Sequence, residues 1–196
     1  MDKLHALFLP TLIAAFLAIM PAARAQTEPG PQTLRQYPGF IELTTVMKDG
    51  SVSVLRCGYA VEDGKIAADT GFRELSVLNR QRKSYSRIQR IDNQLIATAT
   101  NPHGDGLLLE LVEVNGTVVA KACAGDPAND TLGACRTVRP FTFIDQIKAG
   151  DAKIGKQCAL LLQQGGAKFD PSVADPEKAQ AFKDALRQKA EMLAAP

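Results

Sequence analysis

Residues Leu107 to Cys135 read LLLELVEVNGTVVAKACAGDPANDTLGAC, two runs of strand-forming residues joined by Asn115-Gly116 and followed by two cysteines. Both central residues of a type I′ turn need a positive φ, which Asn and Gly tolerate best, so the pair predicts a two-residue β-hairpin. Such a short loop fixes the register, because it places Val114 directly across from Thr117. The same register pairs Leu111 with Ala120, Leu109 with Ala122, and Glu110 with Lys121 as opposite charges.

One face of this hairpin is the more apolar, and we predict that it faces the core. Its members are Leu107, Leu109, Leu111, Val118, Ala120 and Ala122.

Cys123 and Cys135 flank a segment, AGDPANDTLGA, that is rich in turn-forming residues. We predict a disulfide that closes Ala124 to Ala134 into an exposed loop. Because a closed loop loses less entropy on binding, the loop is a candidate recognition element; a purely structural staple is the alternative. The candidate partner-binding residues in it are Asp126, Asn129, Asp130 and Leu132.

Residues 1–25 have the features of a signal peptide. Lys3 precedes the apolar run LFLPTLIAAFLAIM, and residues 23–25 read ARA, the small-x-small pattern that signal peptidase cleaves. We predict cleavage after Ala25 and a periplasmic or secreted bacterial protein. A retained anchor is the alternative, but the run contains a proline and is shorter than the roughly 20 residues that span a bilayer. No transmembrane segment is therefore expected after cleavage.

The chain has four cysteines, Cys57, Cys123, Cys135 and Cys158, and an even number in an exported protein predicts two disulfides. Three connectivities are possible. We favour Cys123 with Cys135 for loop closure and Cys57 with Cys158 as a long-range link between an early strand and a later helix. A metal site or redox pair is the alternative, but the chain has no C-x-x-C motif.

Residues 26–39, QTEPGPQTLRQYPG, carry three prolines and two glycines and no apolar period, so we predict an extended leader with ordered structure from Phe40. Residues 40–143 form the predicted β domain. In its first part, FIELTTVM, SVSVLRCGYAV and KIAADT alternate with the turn signals Asp49-Gly50 and Asp63-Gly64. This spacing predicts an antiparallel meander.

Residues 74–90, ELSVLNRQRKSYSRIQR, fit either a short helix or a strand, and they contain the chain's main cluster of positive charge. Such a cluster favours an anionic partner, either a phospholipid or lipopolysaccharide headgroup or an acidic protein surface. The alternative is a solvated edge strand or loop whose charges discourage edge pairing. The candidate partner-binding residues are Arg80, Arg82, Lys83, Arg87 and Arg90.

The loop NPHGDG brings His103 and Asp105 within two positions of each other. A histidine oriented by a carboxylate can act as a general base or bind a metal, so a hydrolase with a minimal His103/Asp105 site is an alternative function. However, the chain has no G-x-S-x-G or comparable serine elbow to supply a nucleophile. Turn formation alone explains the composition of this loop.

The segment CGYAVEDGKIAADT, followed later by DGLLLELVE, resembles the strand pattern of trypsin-like peptidases. In that family a glycine-containing strand precedes the catalytic histidine, and an aspartate opens a later apolar strand. Here DTGF follows Ala68 without a histidine, and no glycine-flanked nucleophilic serine comes after it. The resemblance therefore implies an inactive relative of these peptidases.

After the predicted strand RTVRPFTFI the character changes to helix. The pattern predicts one helix that ends at Gly150 and a second, capped by Asp151, over residues 152–164. Cys158 shares an apolar face of the second helix, so it should point toward the sheet.

A last helix is predicted to start at Pro176, with Asp175 as its N-cap. Its stripe of apolar residues favours packing on the protein's own domain, and docking to a partner or membrane surface is the alternative. The stripe contains Ala179, Phe182, Leu186, Ala190 and Leu193.

Together these features predict a single α+β domain: an antiparallel meander, either a sheet or a small barrel-like structure, followed by two or three helices in residues 144–196 and held by two disulfides. The absence of Trp and the small number of aromatic residues argue against an aromatic-lined carbohydrate site and against base stacking with nucleic acid. No cofactor or metal motif is found in the sequence. We expect a non-catalytic binding or accessory protein, or an inhibitor-like module, whose partner is an envelope or extracellular protein or an anionic surface.

Overall fold

In the residues that the structure describes, a nine-stranded antiparallel sheet packs with two α-helices. The computed structural model describes residues 30–100, 107–114, 116–126, 131–138, 144–165 and 168–194. Each strand pairs with the next one along the chain, so the sheet order is β1 to β9. The strands are β1 (Gln32–Gln36), β2 (Phe40–Val46), β3 (Val52–Glu62), β4 (Lys65–Asn79), β5 (Ser84–Ile91), β6 (Gln94–Thr100), β7 (Leu107–Val114), β8 (Thr117–Asp126) and β9 (Thr131–Val138).

The antiparallel meander is confirmed, and so is the register of its central hairpin. Val114 pairs with Thr117, Leu111 with Ala120 and Glu110 with Lys121. Tight turns join several strands and place residues at positive φ, as the Asp-Gly and Asn-Gly signals predict. The positive values include φ 50° at Asp63, 71° at Gly64 and 80° at Gly116. A pairing of β9 with β1, which a barrel-like closure would require, is not among the strand pairs of the described residues.

The first strand corrects the predicted start of ordered structure. β1 lies within residues 26–39, which were expected to form only an extended leader, and Leu34 pairs with Leu43 of β2. Four of the five side chains of β1 are exposed. An edge strand of this kind is held by backbone hydrogen bonds to a single neighbour, and its side chains need not alternate between apolar and polar. The hydrophobic pattern of the sequence therefore could not reveal it.

Two helices follow the sheet and cover its two faces: α1 (Ile144–Gly165) and α2 (Pro176–Ala194), with a 3₁₀ turn at Pro171–Val173 between them. Because side chains alternate along a strand, neighbouring residues such as Leu111 and Val112 are buried on opposite faces. On the α1 face, Ile147, Ile154, Cys158 and Leu162 pack against strand residues that include Ile41, Leu55, Ile88, Leu95, Ala97 and Leu111. On the α2 face, Phe182, Leu186 and Ala190 pack with Phe72, Ile91, Ile96 and Val112.

The α1 face contains the described part of the predicted core face of the hairpin. Leu111, Ala120 and Ala122 are buried there, and the partly buried Val118 packs against the hydrophobic cluster of this face. The other face is also covered, because α2 buries Val112. Each face of the sheet therefore has its own hydrophobic cluster beneath a helix.

The helix α1 is one continuous helix of 22 residues, which corrects the predicted break at Gly150 and Asp151. Asp151 is not an N-cap but a buried residue of the helix interior, held by two arginines of the sheet. A Cβ at Gly150 would lie 2.8 Å from Cδ1 of Ile88, so the glycine serves a close approach between helix and sheet. Tertiary contacts thus override the local stop signal.

The start of α2 agrees with the sequence prediction. Asp175 accepts a hydrogen bond from the backbone N–H of Lys178 at 3.1 Å, and Pro176 is the first helical residue. Phe182 stacks on Phe40 with ring centroids 5.0 Å apart and meets Phe72 edge-on at 5.1 Å. The helix therefore packs on its own domain. Neither helix in the described ranges is apolar enough over its length to cross a bilayer.

Both predicted disulfides are confirmed. Cys57 of β3 bonds to Cys158 of α1 across 101 positions of sequence, and Cys123 bonds to Cys135 across 12. The first links the sheet to a helix that packs on it. The second joins two neighbouring strands.

A candidate anion-binding surface at one end of the sheet

The up-and-down topology brings most of the candidate binding residues to one end of the sheet. The turn between β2 and β3, residues 47–51, lies at the same end as the turn between β4 and β5, residues 80–83. We call these two turns together the basic end. Residues 101–106 and 127–130 join the strands that end on this side, and they lie outside the described residues. The candidates His103, Asp105, Asn129 and Asp130 are therefore also outside them.

Strands β8 and β9 extend into the segment between Cys123 and Cys135, which was predicted to be a loop. The two cysteines face each other across β8 and β9 with their Cα atoms 4.0 Å apart, and both strands continue beyond the disulfide. Asp126 pairs with Thr131 at the far end of this ladder, so Asp126 and Leu132 belong to strands. Within the predicted loop from Ala124 to Ala134, residues 124–126 belong to β8 and residues 131–134 to β9, because the ladder continues past the disulfide.

The predicted basic cluster divides into two groups with different environments. Arg80, Arg82 and Lys83 are exposed in the turn, whereas Arg87 and Arg90 belong to β5. Arg87 is only 8% exposed and donates a hydrogen bond from Nη2 to Oγ1 of Thr98 at 3.4 Å. The five residues therefore do not form one solvated surface, since strand alternation directs those after residue 84 onto the two covered faces.

Arg90 is part of an ion-pair cluster on the α1 face. Its Nε lies 2.6 Å from Oδ2 of the buried Asp151, which also pairs with Arg73 of β4. Arg73 and Arg90 are directly opposite each other in the β4–β5 ladder. Their side chains thus hold α1 on the sheet.

Asn79, the last residue of β4, fixes the turn that carries the exposed cations. Its side chain is 3% exposed and accepts a hydrogen bond from the backbone N–H of Arg82 at 2.9 Å. Its Nδ2 donates to Oγ of Ser51 at 3.0 Å and, at a longer distance of 3.4 Å, to Oδ2 of Asp49. One buried amide therefore connects the two turns of the basic end.

The turn from residues 47 to 51 is also closed by its own hydrogen bonds. The N–H of Met47 donates to the carbonyl of Ser51 at 2.8 Å, and that of Gly50 donates to the carbonyl of Met47 at 3.0 Å. Gly50 has φ 78°, a conformation that a side chain would strain. Asp49 receives hydrogen bonds from both the hydroxyl and the N–H of Ser51.

The electrostatics of this end are predominantly positive. Hydrogen bonds from Ser51, and then the charge of Arg82, hold the pKa of Asp49 below its usual value. Asp49 is therefore ionised at neutral pH and offsets one charge of the four described cations, Lys48, Arg80, Arg82 and Lys83. Within the described ranges the ion pairs involve other cations than Arg80, Arg82 and Lys83. These three are available to an anion.

The opposite end of the molecule offers less for a ligand. A shallow depression beside the start of α2 is lined by Pro38 and residues 172–178. Two of its charges pair with each other, since Nζ of Lys178 lies 2.9 Å from Oδ2 of Asp175. In the part of the chain that the structure describes, no three His, Cys, Asp or Glu side chains come together as a metal site would require.

The sequence did not identify Asn79 or Asp151 as organising residues. Asn79 immediately precedes Arg80, and an Asn before a polar run is typical of a turn. Asp151 follows a glycine, which is why it resembled an N-cap. The contacts that give these residues their roles, from Asn79 to Ser51 and from Asp151 to Arg73, each join positions more than 25 residues apart in sequence.

Comparisons of the chain with protein-family models, with curated proteins and with solved structures find no match.

Proposed function

We propose that the protein is an exported, non-catalytic binding protein that engages an anionic partner through its basic end. The observation that carries this proposal is the exposed turn of Arg80, Arg82 and Lys83, held in place by Asn79 and lacking ion-pair partners in the described part of the chain. A surface whose positive charges are not used by the fold attracts anions and accelerates their encounter.

The rigidity of the two turns supports binding by this surface. Asn79 and the internal bonds of residues 47–51 order the backbone before any partner arrives. Less conformational entropy is then lost on association, so a few contacts can give useful affinity. The two disulfides favour an oxidising compartment and agree with export to the periplasm or the medium.

The test is capture on immobilised dextran sulfate over a salt series. We expect the triple variant R80Q/R82Q/K83Q to lose capture by about tenfold or more at low salt, because each surface cation near a polyanion contributes roughly 1 kcal/mol. Wild-type capture should fall as salt rises, since exposed charges are screened.

A matched variant, K153Q/K156Q/K168Q, removes the same charge from exposed positions in α1 and just beyond it. It should retain capture within about twofold of wild type. Equal losses in both variants would mean that net charge alone governs capture, and the proposal would then be wrong.

A further inference from the structure

We infer that the anionic partner is a lipid surface, and that Val46 and Met47 enter its interface while the cations of the basic end meet the headgroups. This inference rests on the proposed function and names its partner. Its basis is a pair of exposed apolar side chains, Val46 and Met47, where β2 runs into the turn that Asn79 joins to the turn of Arg80, Arg82 and Lys83.

Val46 and Met47 lie at the end of β2, next to Lys48. Val46 is 41% exposed and Met47 is 37% exposed, although both are large apolar side chains. Met47 is placed by two backbone hydrogen bonds of its turn, so its position beside the cations does not depend on a flexible loop. The fold therefore maintains an apolar group at its surface beside positive charge.

The apolar character continues across the sheet beneath the turns. Val46 pairs with Val52, Val52 with Leu78, and Leu78 with Tyr85, so the four residues form a row across β2 to β5 on the α2 face. Val52, Leu78 and Tyr85 are half-buried. Leu78 directly precedes Asn79, which places this row one residue below the basic turn.

A lipid interface matches this combination better than a purely polar anion does. Phosphate headgroups attract Arg and Lys, and the boundary with the acyl chains accepts apolar side chains that would otherwise remain in water. A purely polar anion, such as an acidic polysaccharide, would use the cations, but it would leave Met47 exposed. Each methylene transferred into the acyl boundary increases the partition coefficient about fourfold.

The experiment compares vesicles with a soluble polyanion. The exported form of each variant, with its N-terminus checked by intact mass, is sedimented with phosphatidylcholine vesicles that contain or lack about one-third phosphatidylglycerol. Capture on dextran sulfate is measured in parallel. We expect wild type to bind only the anionic vesicles, because cations of this number require an anionic surface.

The variant V46T/M47Q should bind anionic vesicles about tenfold more weakly and should keep its capture on dextran sulfate within about twofold. The variant V61T/L160Q is the matched control, because it removes two exposed apolar side chains from other parts of the surface. It should change neither measurement. The triple variant R80Q/R82Q/K83Q should lose both.

The outcomes separate the two proposals. Wild type that is captured by dextran sulfate and ignores vesicles would overturn the lipid inference in favour of a soluble acidic partner, and the proposed function would stand. Failure to bind either probe would overturn both. Vesicle binding that V46T/M47Q leaves unchanged would overturn the insertion of these two side chains.

Discussion

The guanidinium of Arg73 in β4 holds the carboxylate of Asp151 in α1 through two hydrogen bonds, from Nε to Oδ1 at 2.6 Å and from Nη2 to Oδ2 at 2.7 Å. Arg90 donates a third bond to Oδ2, also at 2.6 Å. Two cations thus share one buried anion at the centre of the contact between helix and sheet. Removing one partner from such a buried ion pair lowers the free energy of unfolding by more than the intact pair contributes to it, because the remaining buried charge is left uncompensated.

The first prediction is that D151N destabilises the protein by about 3–5 kcal/mol, since it removes the buried carboxylate charge that Arg73 and Arg90 share. Urea unfolding followed by circular dichroism measures the loss. The exposed Asp145 in the first turn of the same helix provides the control, because D145N should cost less than about 1 kcal/mol. Adding R90Q to D151N should recover part of the stability. A loss below about 1 kcal/mol for D151N would contradict the inferred role of the cluster.

The second prediction concerns the two disulfides. In the loop-entropy relation, a bond that closes about 100 residues contributes about 4.7 kcal/mol and one that closes about 15 contributes about 3 kcal/mol. We therefore expect C57S/C158S to lower the free energy of unfolding more than C123S/C135S does. The measurement is urea unfolding of both variants with the other bond intact.

For wild type, mass spectrometry under non-reducing conditions should detect no alkylatable thiol, because both bonds are formed. Two or more labelled cysteines, or a peptide that links Cys57 to Cys123, would contradict this assignment. The opposite order of stability between the two variants would show that strain or residual structure outweighs loop entropy.

Local signals in the sequence predicted much of the fold. Asn115-Gly116 fixed a register that needs no long-range information, and Asp175-Pro176 marked the start of α2 because capping depends on residues within one turn. Gly150-Asp151 was misread, because its conformation depends on Arg73 and Arg90 far away in sequence. Structure that depends on residues within one turn could be predicted from the sequence, whereas structure that depends on tertiary contacts could not.

The candidate site follows the same rule. The exposed residues Arg80 and Lys83 lie in a turn that the sequence did not predict, because residues 74–90 fit either a short helix or a strand, and the turn is fixed by Asn79. Arg87 has the same side chain as its exposed neighbours, and only the pairing of β5 between β4 and β6 decides that it is buried. Charge in a sequence therefore indicates a surface only where the local structure is already known.

The third prediction uses this contrast between exposed and buried cations. R87Q should lower the free energy of unfolding by about 1–3 kcal/mol, because it removes a buried donor to Thr98. K83Q removes the same charge from the exposed turn and should change stability by less than about 0.5 kcal/mol. Urea unfolding of both variants provides the comparison. Equal stabilities would mean that Arg87 contributes nothing beyond its charge.

The fourth prediction is that Asn79 controls binding without contributing charge. N79A removes the acceptor for the N–H of Arg82 and the donor to Ser51, so the free energy of unfolding should fall by about 1–3 kcal/mol. Capture on dextran sulfate should weaken about three- to fivefold at a temperature far below the melting transition, because the freed turn must be ordered on binding. The matched variant S51A removes one partner of Asn79 but leaves its bond to Arg82. It should lose stability and retain capture. If S51A and N79A weaken capture equally, the effect comes from general destabilisation, and Asn79 does not position the basic turn.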